Sequence, residues 1–186
     1  RRAVGPTVKV TYAEAFERTL GIDPLTCDVG TLRRAIADHG GSVPESMAEA
    51  ARDDLLDLAM GTLVAQSFAA DRITFLHDFP ASQAALARLR GPVASRFEAF
   101  WGPLELANGF HELGDAREQR ARFEADLAER GARQRPKRPA DEHFLSALAA
   151  GLPACAGVAL GFDRVVMTAA GASCIDDVVT FPFERA

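Results

Sequence analysis

The chain is organised around one stretch near its middle, ELANGFHEL at residues 105–113. It places acids, an amide and an aromatic ring in an otherwise apolar segment that is typical of a strand. Strict alternation along a strand puts Asn108, Phe110 and Glu112 on one face, because side chains two residues apart point to the same side. A buried carboxylate needs a cationic partner, and a neighbouring aromatic ring suits an ammonium group or its alkyl stem. We therefore predict a pocket for an amine, with Glu112 as its anchor.

A second pair of acids, Glu98 and Glu105, flanks the turn dipeptide Gly102-Pro103. The segments on either side predict an antiparallel hairpin with a two-residue loop. The two carboxylates then lie on one face, where they repel unless a proton or a cation separates them. A Mg²⁺ ion that bridges phosphates is one interpretation, and a solvated surface is the other. For both acid sets to serve one site, the strand needs a bulge at Ala107 to Gly109.

A second stretch, GVALGFDR at residues 157–164, predicts a strand that runs into a helix. We expect the strand at Val158 to Leu160 and the helix from Phe162 to Ala170, ended by Gly171. Small residues at such a junction allow a ligand to approach the backbone. One turn into the helix, the planar guanidinium of Arg164 can lie over an aromatic base.

Composition limits the classes of function. The 186 residues suffice for one domain with a core and are too few for two. No apolar run approaches the roughly 18 residues of a membrane span, and the start does not resemble a signal peptide. The net charge of −5 argues against a broad nucleic-acid surface. Cys27, Cys155 and Cys174 form no CxxC pair, which favours reduced thiols. We predict a soluble, cytoplasmic protein without a membrane partner.

Capping signals and apolar periodicity predict further helices, of which three bear on the fold. Thr11 and Glu14 have the spacing of a capping box for a helix to about Leu20. Met47 to about Phe68 is the longest candidate, with an apolar stripe expected to face the core. Asp115 is the predicted N-cap of an amphipathic helix that runs to about Arg130 and ends at Gly131. The core stripe of the long helix consists of Leu55, Leu58, Ala59, Thr62 and Leu63.

Two polar features have competing interpretations. His77 next to Asp78 suggests a base with an orienting acid, but neighbouring residues in a strand point to opposite faces, so we do not expect the pair to interact. The segment from Arg117 to Arg138 is the most basic part of the chain. It is either a solvated helix face or a docking surface for an acidic protein.

The sequence resembles the class II lysyl-tRNA synthetases and, more closely, the synthetase-like ligases that attach (R)-β-lysine to elongation factor P. Three ordered blocks carry the resemblance: residues 105–123, the motif 3 stretch at 157–164, and DVVTFP at 177–182. The phrase FPASQ at residues 79–83 and Ala159, where the tRNA synthetases have glycine, are similar to the ligases. Elongation factor P is therefore the expected acceptor, and transfer RNA is the less favoured partner.

The resemblance implies an α+β fold, with a class II synthetase-like antiparallel sheet flanked by helices on one face. Residues 1–186 would form a single domain, the C-terminal part of the catalytic domain including motif 3. We find no counterpart of motifs 1 and 2 or of the anticodon-binding domain in this sequence. The chain by itself is therefore expected to be inactive, and the full-length protein to be a homodimer.

The resemblance also implies a reaction, in which ATP activates lysine or (R)-β-lysine as an adenylate before transfer to a lysine of elongation factor P. Two alternatives stay open: a lysyl-tRNA synthetase that charges lysine tRNA, and a non-catalytic binding module. Arg164, the catalytic residue, would stack on the adenine. The implied ligands are Glu98 and Glu105 for Mg²⁺, Glu105, Leu106, Gly161 and Arg164 for ATP, and Asn108, Phe110, Glu112 and Ala159 for the amino acid.

Overall fold

The computed structural model describes residues 4–136 and 138–183, and its centre is a mixed sheet. The sheet order is β1-β2-β4-β5-β6, with the short β3 beside β4. β1 runs parallel to β2, because the helices between them carry the chain back to the same end of the sheet, and the other neighbours are antiparallel. The predicted α+β class is confirmed, and this one parallel pair is the departure from a wholly antiparallel sheet. The strands are Val8–Thr11 (β1), Ile73–Pro80 (β2), Leu89–Arg90 (β3), Val93–Trp101 (β4), Leu104–His111 (β5) and Ala156–Leu160 (β6).

Six α-helices accompany the sheet within the described residues. The capping box at Thr11 and Glu14 is confirmed, since the Thr11 hydroxyl accepts a hydrogen bond from the Glu14 amide while the Glu14 carboxylate accepts one from Thr11. The motif 3 helix has the predicted bounds and ends at Gly171 in the left-handed conformation. No helix in the described ranges is both long and apolar enough to cross a membrane. The helices are Tyr12–Leu20 (α1), Val29–Asp38 (α2), Arg52–Ala59 (α3), Ala116–Ala132 (α4), Glu142–Ala150 (α5) and Phe162–Ala170 (α6).

The expectation of one long helix from Met47 to Phe68 is wrong. Only α3 is α-helical, and a π-helical turn at Met60–Val64 and a 3₁₀ turn at Ala65–Ser67 follow it. The π turn inserts an extra residue into the helical repeat, so the buried stripe shifts away from the predicted one. Thr62 is exposed, whereas the buried positions are Leu55, Leu56, Ala59, Met60, Val64 and Ala65.

The hydrophobic core lies between α1–α3 and one face of the sheet. Val10, Leu76 and Phe100 contribute from the strands, and Phe16 and Leu55 contribute from the helices. Alternate residues of β1 and β2 point to the other face, where Lys9, Phe75 and His77 line an open depression with Phe97. The helices therefore cover one face of this half of the sheet and leave the same face of β4–β6 available for a site.

The central hairpin is confirmed, and its bulge lies earlier than predicted. Trp101 pairs with Leu104 across the Gly102-Pro103 turn, and Phe100 pairs with Glu105. Ala99 then pairs with Ala107, so Leu106 is the extra residue. The expected position, Ala107 to Gly109, is wrong by one residue, although the consequence is as predicted. Because the bulge changes the parity of β5, Glu105 and Asn108 both serve the face that carries Glu98.

Three arginines of the basic segment after the hairpin pair with carboxylates. The predicted N-cap at Asp115 is confirmed, but α4 continues through Gly131 to Ala132. Arg120 pairs with Glu142, Arg122 with Glu118, and Arg133 with Asp54 and Glu129. Arg117, Arg135 and Arg138 are exposed, and Lys137 lies outside the described residues. The segment is therefore in large part a solvated helix face, and its capacity to attract an acidic protein rests on fewer arginines than the sequence contains.

Candidate active site

Two rows of side chains cross β4, β5 and β6 on one face of the sheet. Directly paired residues of neighbouring strands share a face. Asn108 pairs with Glu98 on one side and with Ala159 on the other. Phe110 in the same way pairs with Arg96 and Gly157. The structure thus brings together residues from both predicted acid sets and from motif 3, although Glu98 and Ala159 are 61 positions apart in the sequence.

Glu98 is a buried carboxylate with one cationic partner. Its Oε1 atom accepts a hydrogen bond from Nη2 of Arg96 at 2.5 Å. Burial raises the pKa of Glu98 above its usual value; the nearby Arg96 opposes this shift, and the charge of Glu105 adds to it. The carboxylate is therefore held in a place where extra positive charge would stabilise its ionised form.

Glu105 is more open than Glu98 and is available to a ligand. Its side chain is 40% exposed, and Oε2 lies 3.9 Å from Nη1 of Arg164. Two carboxylates close enough to repel each other suit Mg²⁺, which is typically held by one or two protein carboxylates together with phosphates. No cluster of three or more acidic, histidine or cysteine side chains suited to a metal occurs among the described residues. The donor set therefore fits a phosphate-bridging Mg²⁺ and does not fit a cation bound by protein ligands alone.

We expect Glu98→Gln to stabilise the fold at neutral pH. Because the folded-state pKa is raised, the neutral carboxyl is favoured, and that advantage is lost as pH rises through the folded pKa. Glutamine stays neutral and keeps the oxygen that accepts from Arg96. The melting temperature at pH 7 should therefore rise, and each 1 kcal/mol of added stability corresponds to about 2–4 °C in a chain of this size.

The gain should shrink as pH falls through the raised folded-state pKa of Glu98 and be nearly absent below the usual glutamate pKa, because Glu98 is then protonated in both the folded and the unfolded state. Thermal melts at pH 4 and pH 7 measure the difference, and exposed Glu124→Gln is the matched control. An equal shift at both pH values would contradict the prediction.

Glu112 lies just beyond the end of β5, with its carboxylate over the backbone of β6. Its amide donates to the carbonyl of Cys155 at 3.0 Å, and its carbonyl accepts from Nε of Arg88 at 2.8 Å. A Cβ atom on Gly157 would collide with the Glu112 carboxylate. Within the described parts of the chain, no side chain forms an ion pair with this carboxylate. Glu112 is thus held by its backbone, and its charge is available to an amine.

The junction between β6 and α6 is joined to the bulge of β5. The Gly161 amide donates to the carbonyl of Leu106 at 2.8 Å, so this backbone contact extends the ladder beyond the strand ends. Nη1 of Arg164 donates to the carbonyl of Glu105, also at 2.8 Å. A Cβ atom on Gly161 would meet the Arg164 side chain and the Leu106 carbonyl at ordinary contact distance. The 47% exposed Arg164 side chain therefore starts from a defined place beside Glu105 and remains accessible to a flat ligand.

Two residues that shape the site were not predicted. Arg96 carries a signal that could have revealed it, since a cation two positions before Glu98 in a strand must share its face. Gly157 carries no such signal, because only the pairing of β5 with β6 reveals that Glu112 lies above it. The Mg²⁺-, ATP- and amino-acid-binding roles that the resemblance implies for the other residues stay predictions.

The expectation that His77 and Asp78 do not interact is wrong. A bulge in β2 places Asp78 at φ 58°, in the left-handed region. This turns the Asp78 carboxylate towards its neighbour, and Oδ2 lies 3.2 Å from Nδ1 of His77. Asp78 also pairs with Arg90 at 2.7 Å. His77 lines the depression on the sheet face opposite to the candidate site, so its role in the chemistry of that site is not supported.

Comparison with known proteins identifies the family. The family model of class II tRNA synthetases (D, K and N) matches residues 4–185. The elongation factor P–(R)-beta-lysine ligases of Salmonella dublin and of Klebsiella pneumoniae strain 342 are each 48% identical to the chain over 184 residues. The match covers 97% of this chain and 56% of each ligase, so the chain spans little more than half the length of these relatives. The expected resemblance to the ligases is confirmed, and the chain belongs to the class II tRNA synthetase family of the D, K and N group.

Proposed function

We propose that the chain is part of an ATP-dependent ligase that activates a lysine-like amino acid as its adenylate and transfers it to a lysine of elongation factor P. One observation carries this proposal: the polar groups follow β5 in the order that the reaction requires. Glu105, next to Glu98, stands at the start of the strand, Asn108 at its middle, and Glu112 beyond its end. An extended amino acid lying along the strand would place its ammonium group at Glu112 and its carboxylate near the metal-binding acids.

The residues of the chain divide the work between binding and orientation. Glu112 would pair with an ammonium group of the substrate, and Phe110 would contact its alkyl chain. Asn108, with Ala159 beside it, would hold the carboxylate end. Bound ATP would supply the α-phosphate that activates this carboxylate. Glu98 and Glu105 would hold the accompanying Mg²⁺, and the backbone at Leu106 and Gly161, with Arg164, would hold the adenosine. Catalysis of this kind depends on positioning and on neutralising charge rather than on a covalent nucleophile.

The choice of acceptor rests on similarity and on charge. The relatives named above are ligases of elongation factor P, and the net charge of −5 disfavours a polyanionic partner. The phrase at residues 79–83 and Ala159 support the same choice. All three cysteines are free thiols, which supports a reducing compartment, and we propose that the protein is cytoplasmic. The resemblance to the synthetases supports the further proposal that the full-length protein is a homodimer.

A side-by-side assay tests the proposed function. The assay uses a protein that contains this chain and is as long as the relatives named above. It is incubated with ATP, labelled (R)-β-lysine or lysine, and either elongation factor P or lysine tRNA. We expect label on a lysine of elongation factor P and little or none on the tRNA. Efficient labelling of the tRNA alone would support a lysyl-tRNA synthetase instead. Absence of both labelling and amino-acid-dependent pyrophosphate exchange would support a non-catalytic binding module.

A further inference from the structure

The guanidinium of Arg96 contacts both halves of the candidate site at once. Nη2 donates to the Glu98 carboxylate at 2.5 Å, and Nε donates to Oδ1 of Asn108 at 3.4 Å. We propose that Arg96 is a positioning residue that sets the metal-binding carboxylate and the substrate-binding amide in one fixed arrangement. This inference rests on the proposed function, because it assigns Arg96 a task in that same site.

The bond to Asn108 determines which end of the amide faces a ligand. An asparagine side chain has one accepting oxygen and one NH₂ group that donates twice. Arg96 has only donors, so it engages the oxygen and leaves the NH₂ group for a ligand. The free NH₂ group suits an acceptor such as the carboxylate of an amino acid. Without Arg96, the amide could turn over and present its oxygen, which would repel that carboxylate.

The bond to Glu98 has a different character. It is a charge-assisted hydrogen bond of 2.5 Å between side chains that are only 18% and 11% exposed, and it therefore restrains the position of the Glu98 carboxylate. Tyr12, Asp57 and Glu105 also interact electrostatically with Glu98, and Arg96 is the cation among these four neighbours. A lysine at this position could supply the positive charge. Its compact ammonium group could not, however, reach all the acceptors that the planar guanidinium of Arg96 contacts at the same time.

Arg96 is itself held from the helix side. Its guanidinium carbon lies 4.3 Å from the centre of the Phe79 ring, and Nη1 donates to the carbonyl of Gln83 at 2.9 Å. The Gln83 amide in turn donates to Asp57 on α3 at 2.9 Å. Only 18% of the Arg96 side chain is exposed. The segment from Phe79 to Gln83 thus provides a stacking ring and a backbone acceptor that fix the arginine in the site.

Two substitutions separate this role from simple structural support. Arg96→Lys keeps the positive charge and loses the planar guanidinium, and Arg96→Met loses both. In the protein at the length of its relatives, amino-acid-dependent pyrophosphate exchange gives KM for the amino acid and the Mg²⁺ concentration for half activation. We expect Arg96→Met to raise both values about tenfold, the usual scale for losing a hydrogen bond to a charged group. Arg96→Lys should raise KM about tenfold and shift the Mg²⁺ value by less than about threefold, because the charge remains.

Arg133→Met is the matched control. Arg133 is 28% exposed and pairs with Asp54 and Glu129, outside the site. It should leave KM and the Mg²⁺ value unchanged. Calorimetric titration with the amino acid gives a second readout that does not depend on turnover. Unchanged amino-acid Kd in Arg96→Met, or equal effects of Arg96→Lys on KM and on the Mg²⁺ value, would overturn the inference. An inactive wild-type protein would instead contradict the proposed function, and the calorimetric comparison would still test Arg96.

Discussion

Glu112→Gln should weaken binding of lysine or (R)-β-lysine by at least about 100-fold and leave ATP binding nearly unchanged. Removing the charged partner of a buried ammonium costs about 3–5 kcal/mol. Glu112 is suited to this role because its carboxylate lies over Gly157 and has no competing ion pair among the described residues. ATP should be unaffected, since the groups assigned to it lie at the opposite end of β5. Calorimetry with each ligand separately measures the two affinities.

The control is Glu124→Gln on α4, which removes the same charge from a residue outside the site. It should change neither affinity. Gly157→Ala provides an independent test of the geometry, because its methyl group would push the Glu112 carboxylate aside and weaken amino-acid binding without altering the charge. Equal losses of amino-acid and ATP affinity in Glu112→Gln would show that the amine pocket is elsewhere.

Arg164→Met should raise KM for ATP by about 10- to 100-fold, with a smaller effect on KM for the amino acid. Stacking of a base on a flat side chain contributes about 1–3 kcal/mol, and methionine offers no planar charge. The substitution also removes the hydrogen bond from Nη1 of Arg164 to the carbonyl of Glu105. Part of the loss should therefore appear as a higher requirement for Mg²⁺. Pyrophosphate exchange at varied ATP and Mg²⁺ concentrations measures both.

Arg164→Lys distinguishes stacking from charge. Lysine can still donate a hydrogen bond to the carbonyl of Glu105 but has no planar group, so we expect it to recover the Mg²⁺ requirement and not the KM for ATP. Arg117→Met, an exposed arginine on α4, is the control for loss of surface charge. Full recovery of KM by lysine would show that charge alone accounts for the contribution of Arg164.

Local signals in the sequence were sufficient for several elements. The Thr11 capping box, the Gly102-Pro103 hairpin and the helix from Phe162 to Ala170 are all confirmed, since each depends on residues only a few positions apart. The need for a bulge in β5 also followed from the sequence. Two acid sets of opposite parity cannot share a face on a regular strand.

The position of that bulge depended on tertiary contacts. Leu106 is the extra residue because its buried side chain and its bond to Gly161 place it there, and both depend on packing. The interaction of His77 with Asp78 escaped prediction for a related reason. A left-handed residue inside a strand breaks the alternation on which the expectation relied.

By itself, the sequence determined which residue types lie on most strands and helices, because periodicity and capping act over short spacings. The family and the α+β class followed from the resemblance of three ordered blocks to known synthetases, and the candidate residues from Glu98 to Arg164 followed from the local patterns and that resemblance together. Only the tertiary structure decided that Arg96 links Glu98 to Asn108, that Gly157 lies beneath Glu112, and that Arg133 is neutralised by Asp54. Such contacts depend on strand register and on the packing of distant segments, and one shifted residue reverses the face that a side chain occupies.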